Sequence, residues 1–521
     1  MSRSDLTLPR LSRRDFLYLL GATVTAGCGL TTSSRPTRRQ DPFRLGVASG
    51  YPLPDGFVIW TRLVPEPMIA GGGMDPVLVP VGWEISTDDA FRKIVSSGVT
   101  YASPDWAHSV HVEVRDLQPD RRYWYRFHVD GVTSPIGRAR TAPAPGAELA
   151  KLRFAVASCQ HFEHGWYVAY QHMVADDPDL IIHVGDYIYE RSWGENRVRR
   201  HAGGEPYTLD DYRARYAQYR SDPLLQAAHA ACPWLVVWDD HEVENDYAND
   251  RSENDDDRQW FLARRAAAYK AYYEHMPLPA AMMPVGPSMR IHTRVALGSL
   301  AEIYMLDDRQ YRTYQPCPKP GRGGSNLIEN CVERGDLSAS LLGRQQEAWL
   351  AAGLGAASVR WNLLAQQTLV AQADSLVGRG QRFYSDAWDG YPAARRRLLE
   401  QLSRPTVRNP VVFGGDVHSF WAADLRLDFD DRSLPTVASE FVTTSIASDP
   451  PPEERIRAAA SEGEHIRFAT GAKRGYLRVD LSPSRLVADM RGVENVKDPD
   501  SPCDTMASFV VESGRAGPQR A

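Results

Sequence analysis

Asp179-Leu180-Ile181-Ile182-His183-Val184-Gly185-Asp186-Tyr187-Ile188-Tyr189-Glu190 is the stretch whose reading decides the fold. Its first half is an apolar run of the length of one buried parallel strand. The run stops at Gly185-Asp186, where a glycine lets the backbone turn. The Asp186 carboxylate is left at the carboxyl end of the strand, the end at which α/β sheets gather ligands. Tyr189, three residues on, is within reach of the same ion.

The pattern recurs three times. Phe154-Ala155-Val156-Ala157 runs into Ser158-Cys159. Leu235-Val236-Val237-Trp238 runs into Asp239-Asp240-His241-Glu242. Val411-Val412-Phe413 runs into Gly414-Gly415-Asp416-Val417-His418. One apolar strand ending in metal-competent side chains means little. Four of them predict a cluster at one end of a sheet. Ala301 to Leu306, ending in Asp307-Asp308-Arg309, and Trp361 to Ala365, ending in Gln366-Gln367, read as further strands. Helical segments at 165–175, 208 onward, 258–274 and 343–352 alternate with the strands, which indicates an α/β layered domain.

Phosphoester hydrolysis by two ions needs a shared ligand, terminal ligands on each ion and an open position. Asp186 suits the shared role. Cys159, Tyr189 and His418 suit a trivalent or borderline ion such as iron. Asp240, Glu242 and Asp416 are hard oxygen donors, suited to calcium, magnesium or manganese. Asp240, His241 and His418 are the candidates for catalysis, the histidines for proton transfer. Taken singly, Cys159 reads as a buried thiol, Tyr189 as a core aromatic and Asp240-His241-Glu242 as a solvated loop. Only their joint placement at strand ends favours a metal centre. His183 sits mid-strand and reads as packed, and Thr443-Thr444-Ser445 as buried strand. Gly-x-Ser-x-Gly and Walker loops are absent from the sequence, which disfavours covalent serine catalysis and nucleotide motors.

Residues 41–145 read as a separate all-β domain of fibronectin III or immunoglobulin type. Strands at 57–63, 81–85, 108–114 and 123–129 alternate, and Asp130-Gly131 makes a hairpin turn. Ala142-Pro143-Ala144-Pro145-Gly146 is the linker. Residues 146–515 form the second domain, and 516–521 a polar tail.

Residues 1–40 read as a twin-arginine signal region: Arg13-Arg14, a modest apolar segment from Phe16 to Ala26, and small residues at its end. Thr25-Ala26-Gly27-Cys28 resembles a lipoprotein box, with Cys28 as the residue a lipid anchor would use. The implied partner is the twin-arginine translocase, and the implied location periplasmic, extracellular or cell-surface. The signal holds seven Arg against Asp5 and Asp15, a local charge of +5, so −11 of the overall −6 falls on residues 41–521. An acidic body argues against non-specific nucleic-acid binding. Phosphate must be drawn in locally. Of six cysteines, Cys317 and Cys331 flank a Pro/Gly-rich loop and read as a disulfide, while Cys232 and Cys503 are either a second bridge or free thiols.

Five motifs carry a resemblance across the chain after the signal: Phe154 to Gln160, Gly185 to Glu190, Trp238 to Tyr247, Tyr384 to Tyr391 and Gly414 to Trp421. Leu45 to Gly50 and Asp55 to Arg62 add to it. The pattern resembles purple acid phosphatases and calcineurin-like metallophosphoesterases, and more closely the PhoD-like alkaline phosphatase/phosphodiesterase family. The resemblance implies an αββα sandwich, one Fe(III) and calcium, with Mn2+, Mg2+ or Zn2+ as alternatives. It implies iron on Cys159, Asp186, Tyr189 and His418, and calcium on Asp186, Asp240, Glu242 and Asp416. Cys159 stands where a generic metallophosphoesterase has Asp, and Asp416 where it has His; both mark the PhoD-like branch. Gln366 stands where that branch has Asn, and Tyr51 where it has Asp. The function so implied is hydrolysis of phosphate monoesters or diesters, the substrate a phosphate ester. The rivals are a phospholipase D-type phosphodiesterase on the same scaffold, and a non-catalytic surface binding protein with a structural metal site.

Overall fold

The computed structural model describes residues 41–521, so the twin-arginine segment and Cys28 lie outside the described residues. Among those residues no helix is long and apolar enough to cross a membrane.

Two large sheets carry the chain. The first has ten strands, and its centre is a parallel run of Leu152–Ala157, Leu180–His183, Pro233–Val236 and Val47–Leu53. The second has seven strands around a parallel run of Ala301–Met305, Trp361–Ala365, Pro410–Gly414 and Thr436–Val442. These parallel strands are buried throughout or nearly so, which is why they read as continuous apolar runs rather than as alternation. Their two faces nevertheless serve different clusters. Ile303, Leu363, Phe413 and Val411 belong to the core that also holds Phe154, Val156 and Ile182 of the first sheet. Tyr304, Leu364 and Val412, one residue out of phase, pack with Leu350 and Leu354 of helix Arg344–Ala356 and Leu398 and Leu399 of helix Pro392–Leu402. Phe154 meets Phe413 edge-on at 5.5 Å, so the sheets face one another. Tyr170 and Met173 of helix Val168–Ala175, and Leu225 of helix Pro223–Ala231, join the core of the first sheet.

Helix Leu209–Arg220 begins where the sequence places it. Thr208 and Asp211 form a capping box that satisfies two end amides.

The amino-terminal segment shares a sheet with the rest of the chain. Val47–Leu53, Gly56–Arg62 and Ser109–Val114 extend the ten-stranded sheet, through parallel pairing of Ser49 with Pro233 and Gly50 with Trp234. A Cβ on Gly50 would stand 2.7 Å from the Pro277 carbonyl oxygen and 2.8 Å from that of Trp234, so only glycine admits this approach. Tyr51 Oη adds a bond of 3.0 Å to the Val236 carbonyl. A five-stranded sheet, with Val79–Ser86 and Arg122–Val129 at its centre, then packs on these strands through Phe57, Ile59, Val81, Ile85 and Tyr125. Of the two sheets that pack here, one is the sheet that carries the site. The carboxyl terminus also joins that sheet. Gln519–Arg520 is a strand paired with Phe509 and Val510, so residues 516–521 close a sheet edge rather than trail as a tail.

Cys317 and Cys331 are bridged, while Cys232 and Cys503 are free thiols.

Candidate metal centre

The strand ends of both sheets meet at one place. Cys159 and Asp186 follow adjacent parallel strands, and Cys159 N–H donates to the Gly185 carbonyl at 3.1 Å. Gly185 lies at φ 109°, and a Cβ there would stand 2.5 Å from that of Asp239. The third strand end is thereby brought against the second. Asp416 and His418 arrive from the second sheet.

Sulfur, carboxylate and imidazole donors of Cys159, Asp186 and His418 lie within 4.8 Å of one another. Tyr189 Oη completes this group. It donates to Asp186 Oδ2 at 2.7 Å, lies 3.1 Å from His418 Nε2, and accepts from Ser448 Oγ at 2.8 Å. His418 Nδ1 is spent on the Asp449 carbonyl at 2.7 Å, which leaves Nε2 as the ligand atom. A second group joins Asp186, Asp240 and His241, a third Asp239, Asp240 and Asp416, and a fourth Asp240, Asp246 and Asp386. Asp186 is common to the first two.

Five of these residues hold left-handed backbone: Cys159 at φ 58°, Asp186 at 58°, Asp246 at 54°, Asp416 at 61° and His418 at 49°. Such conformations cost a non-glycine residue roughly 1–3 kcal/mol each and are kept where function needs them.

The donor set fits cations. Asp186 Oδ1 and Asp239 Oδ2 are buried with no hydrogen-bond partner. Burial pushes the Cys159 thiol and the Tyr189 phenol well above their ordinary values, and the Asp186 charge raises both further. Burial likewise holds Asp239 and Asp416 above the carboxylate range, against the pull of Arg309 and with the push of neighbouring acids. A bound cation supplies the charge that lets such groups ionise together. Thiolate, phenolate and imidazole suit a soft or trivalent ion, and the carboxylates a hard divalent one.

Glu242 departs from its expected role as a calcium ligand. Its Oε2 accepts from the backbone N–H of Asp239 at 2.7 Å and of Asp186 at 3.1 Å, and its Oε1 from that of Tyr187 at 2.5 Å. The carboxylate is spent on the turn that presents Asp186, and Glu242 joins none of the donor groups. Asp239 stands in the cluster instead. Sequence pattern alone does not separate Asp239 from Asp240, since both follow the same strand.

Asp240 Oδ2 accepts from Asp246 N–H at 2.6 Å. Burial opposes its ionisation, yet Arg309 and His241 outweigh that and hold it below the usual carboxylate range. Arg309 is buried: Nε donates to Asp239 Oδ1, one terminal nitrogen pairs with Asp386 Oδ2 at 2.6 Å, and the other lies 3.7 Å from Asp240 Oδ1. It holds three acids of the cluster in place. His241 Nδ1 is 2.6 Å from Glu190 Oε2. Burial works to lower its pKa, but Glu190, Asp240 and Asp186 raise it well above the ordinary value. Trp193 stacks on the His241 ring at 5.5 Å and meets Tyr189 edge-on at 5.2 Å.

Gln367 ties the two sheets beneath the cluster, its amide donating to the Trp238 and Leu306 carbonyls. Gln366 is occupied by Thr368 and Trp388. Trp388 and Tyr391 belong to the core, Asp389 pairs with Arg395 at 2.6 Å, and Trp421 lines the adjoining cavity.

Donors of this kind at the carboxyl ends of parallel strands define an α/β protein with a metal-competent centre. Residues 154–490 match the PhoD-like phosphatase family and residues 29–143 its N-terminal domain, so the chain belongs to that family. It is 44% identical over 507 residues to alkaline phosphatase D of Bacillus subtilis (strain 168), covering 96% of this chain and 86% of that protein. It also superposes on the solved structure of PhoD with a TM-score of 0.89 at 43% identity, covering 94% of this chain and 93% of that one.

Proposed function

We propose that this protein is a phosphoric ester hydrolase that acts on phosphate monoesters and diesters at the strand-end cluster of a four-layered αββα sandwich. The observation that carries the reading is Asp186: one buried carboxylate belongs to two donor groups, one with a thiol, a phenol and an imidazole and one with Asp240 and His241, and Asp240 in turn joins the acids Asp239 and Asp416. Family membership and the 44% identity to an alkaline phosphatase D support the same chemistry. We assign Fe(III) to Cys159, Asp186, Tyr189 and His418, and calcium to Asp186, Asp239, Asp240 and Asp416. Ions held there neutralise a phosphoryl group and lower the pKa of water.

The chain's own residues do the rest. Glu242 and Gln367 fix the turns that present the acids. Arg309 holds Asp239 and Asp240 in place against their mutual repulsion. His241, kept protonated by Glu190, donates a proton from Nε2 to the leaving oxygen. Trp193 covers this donor and limits the entry of water. Export by the twin-arginine route, with Cys28 available for lipid anchoring, suits the Arg13-Arg14 segment, and the Cys317–Cys331 bridge suits an oxidising compartment.

The test is hydrolysis of 4-nitrophenyl phosphate and bis(4-nitrophenyl) phosphate by the protein as purified, beside Asp186→Asn. Activity on either ester that disappears in the variant, with an unchanged melting transition, is the expected result. No hydrolysis by the unaltered protein under any metal supplement would instead favour a binding protein with a structural metal site.

A further inference from the structure

The cluster opens onto a cavity of about 550 Å3 that shares Asp416 and His418 with it. Its walls are contributed by separate parts of the chain. The disulfide-closed loop supplies Lys319 and Asn326, the strand after His418 supplies Trp421, and helix Glu453–Glu462 supplies Arg455 and Ile456. Much of the lining is apolar, and a phosphoryl group alone has no use for such a surface.

Two cations break the apolar lining, beside the carboxylates of Asp389, Asp416 and Asp449. Lys319 and Arg455 are both exposed, and neither side chain pairs with a described carboxylate. Their surroundings make this unusual. On the same helix Arg457 pairs with Glu453, just past its end Glu464 pairs with Arg432, and on the cavity wall Asp389 is already taken by Arg395. In a body whose formal charge is −11, two uncompensated cations sit on the lining of the cavity that holds His418. Cations left unpaired beside a phosphoryl site, above an apolar wall, match an anion attached to a mostly apolar or flat organic group.

We propose that the cavity binds the alcohol portion of the phosphate ester, and that Arg455 and Lys319 hold a second phosphate carried on that portion. The inference rests on the phosphoesterase reading of the adjoining cluster. Trp421 and Ile456 supply the apolar face for the alcohol. The two cations then select esters whose alcohol is itself phosphorylated over those whose alcohol is neutral.

The experiment measures binding, so that it does not depend on turnover. The methylenephosphonate analogues of thymidine 5′-monophosphate and thymidine 3′,5′-bisphosphate, whose P–C bonds a phosphoesterase does not cleave, serve as probes that share one flat organic group and differ by one charged phosphorus group. Their dissociation constants are measured by calorimetry on the protein as purified and on Arg455→Gln, Lys319→Gln and the double variant. The bisphosphate analogue is expected to bind roughly tenfold more tightly, the contribution of a charge-assisted contact in partly exposed surroundings, and the preference to shrink as salt rises. It is expected to collapse in the double variant. Equal affinity for the two probes in the unaltered protein, or a preference that survives both substitutions, would overturn the proposal. Bis(4-nitrophenyl) phosphate hydrolysis on the same samples keeps the two readings apart. Its absence counts against the phosphoesterase reading, while the binding pair still reports on the cavity.

Discussion

At the scale of single residues, the centre depends on groups that touch no ion. Glu242 is the sharpest case, since its three backbone N–H bonds hold the turns at Asp186 and Asp239. Burial raises its pKa to about 8, with the Asp186 charge adding to the shift. Glu242→Gln replaces one acceptor oxygen with an N–H2 facing backbone N–H. Activity is expected to fall about 10- to 100-fold, with loss of bound metal in elemental analysis and the fold retained. Glu190 plays the matching part for His241. In Glu190→Gln the negative partner of the imidazolium is gone, so the ring deprotonates at lower pH. The basic limb of kcat/KM against pH is expected to move to lower pH. A limb that stays in place would remove His241 as the proton donor. Strand-end Cys, Asp, Tyr and His are legible in the sequence, and the structure gathers them at one place. The backbone contacts of Glu242 are not legible, because a glutamate two residues beyond Asp240 looks the same in sequence whether it faces an ion or folds back on backbone amides.

At the scale of elements, the parallel strands were legible because burial on both faces demands unbroken apolar runs, as in Leu180–His183 and Pro410–Gly414. The shared sheet was not. Alternation along 57–63 and 108–114 shows a strand with one face on a core, but not which strand lies beside it, and the Gly50–Trp234 pairing joins residues far apart in sequence. Buried acids also act at this scale. Glu440, in strand Thr436–Val442, accepts from Val370 N–H at 2.7 Å and Ala371 N–H at 2.8 Å, and burial raises its pKa to about 7. The folded pKa is above the unfolded one, so the unfolded chain ionises first. The stability this group gives is full below about pH 4.5 and lost as pH rises toward 7, an effect on the order of 3 kcal/mol. Glu440→Gln is therefore expected to be less stable than the unaltered protein at pH 5, having lost one acceptor, and to lose less between pH 5 and pH 8. Urea unfolding at the two pH values reads the difference; parallel losses would contradict it. The Cys317–Cys331 bridge closes the loop that bears Lys319 and Asn326, and a closed loop of that length contributes about 3 kcal/mol by limiting the unfolded chain.

At the scale of the whole molecule, two facing sheets place the ends of six strands at one spot, and one of those sheets runs on into the amino-terminal strands. The site is thus fixed by the architecture rather than by a single loop, and the left-handed backbone at Cys159, Asp186, Asp416 and His418 is held by the packing around it. The central claim is that this architecture holds an asymmetric pair of metal positions joined by Asp186. Elemental analysis of the purified protein, with its visible spectrum, tests that claim most directly. The account expects about one iron per chain together with calcium, and a charge-transfer band from phenolate or thiolate that disappears in Tyr189→Phe and shifts in Cys159→Ser. A protein that holds only zinc or manganese, or no metal, and whose spectrum neither substitution alters, would contradict it.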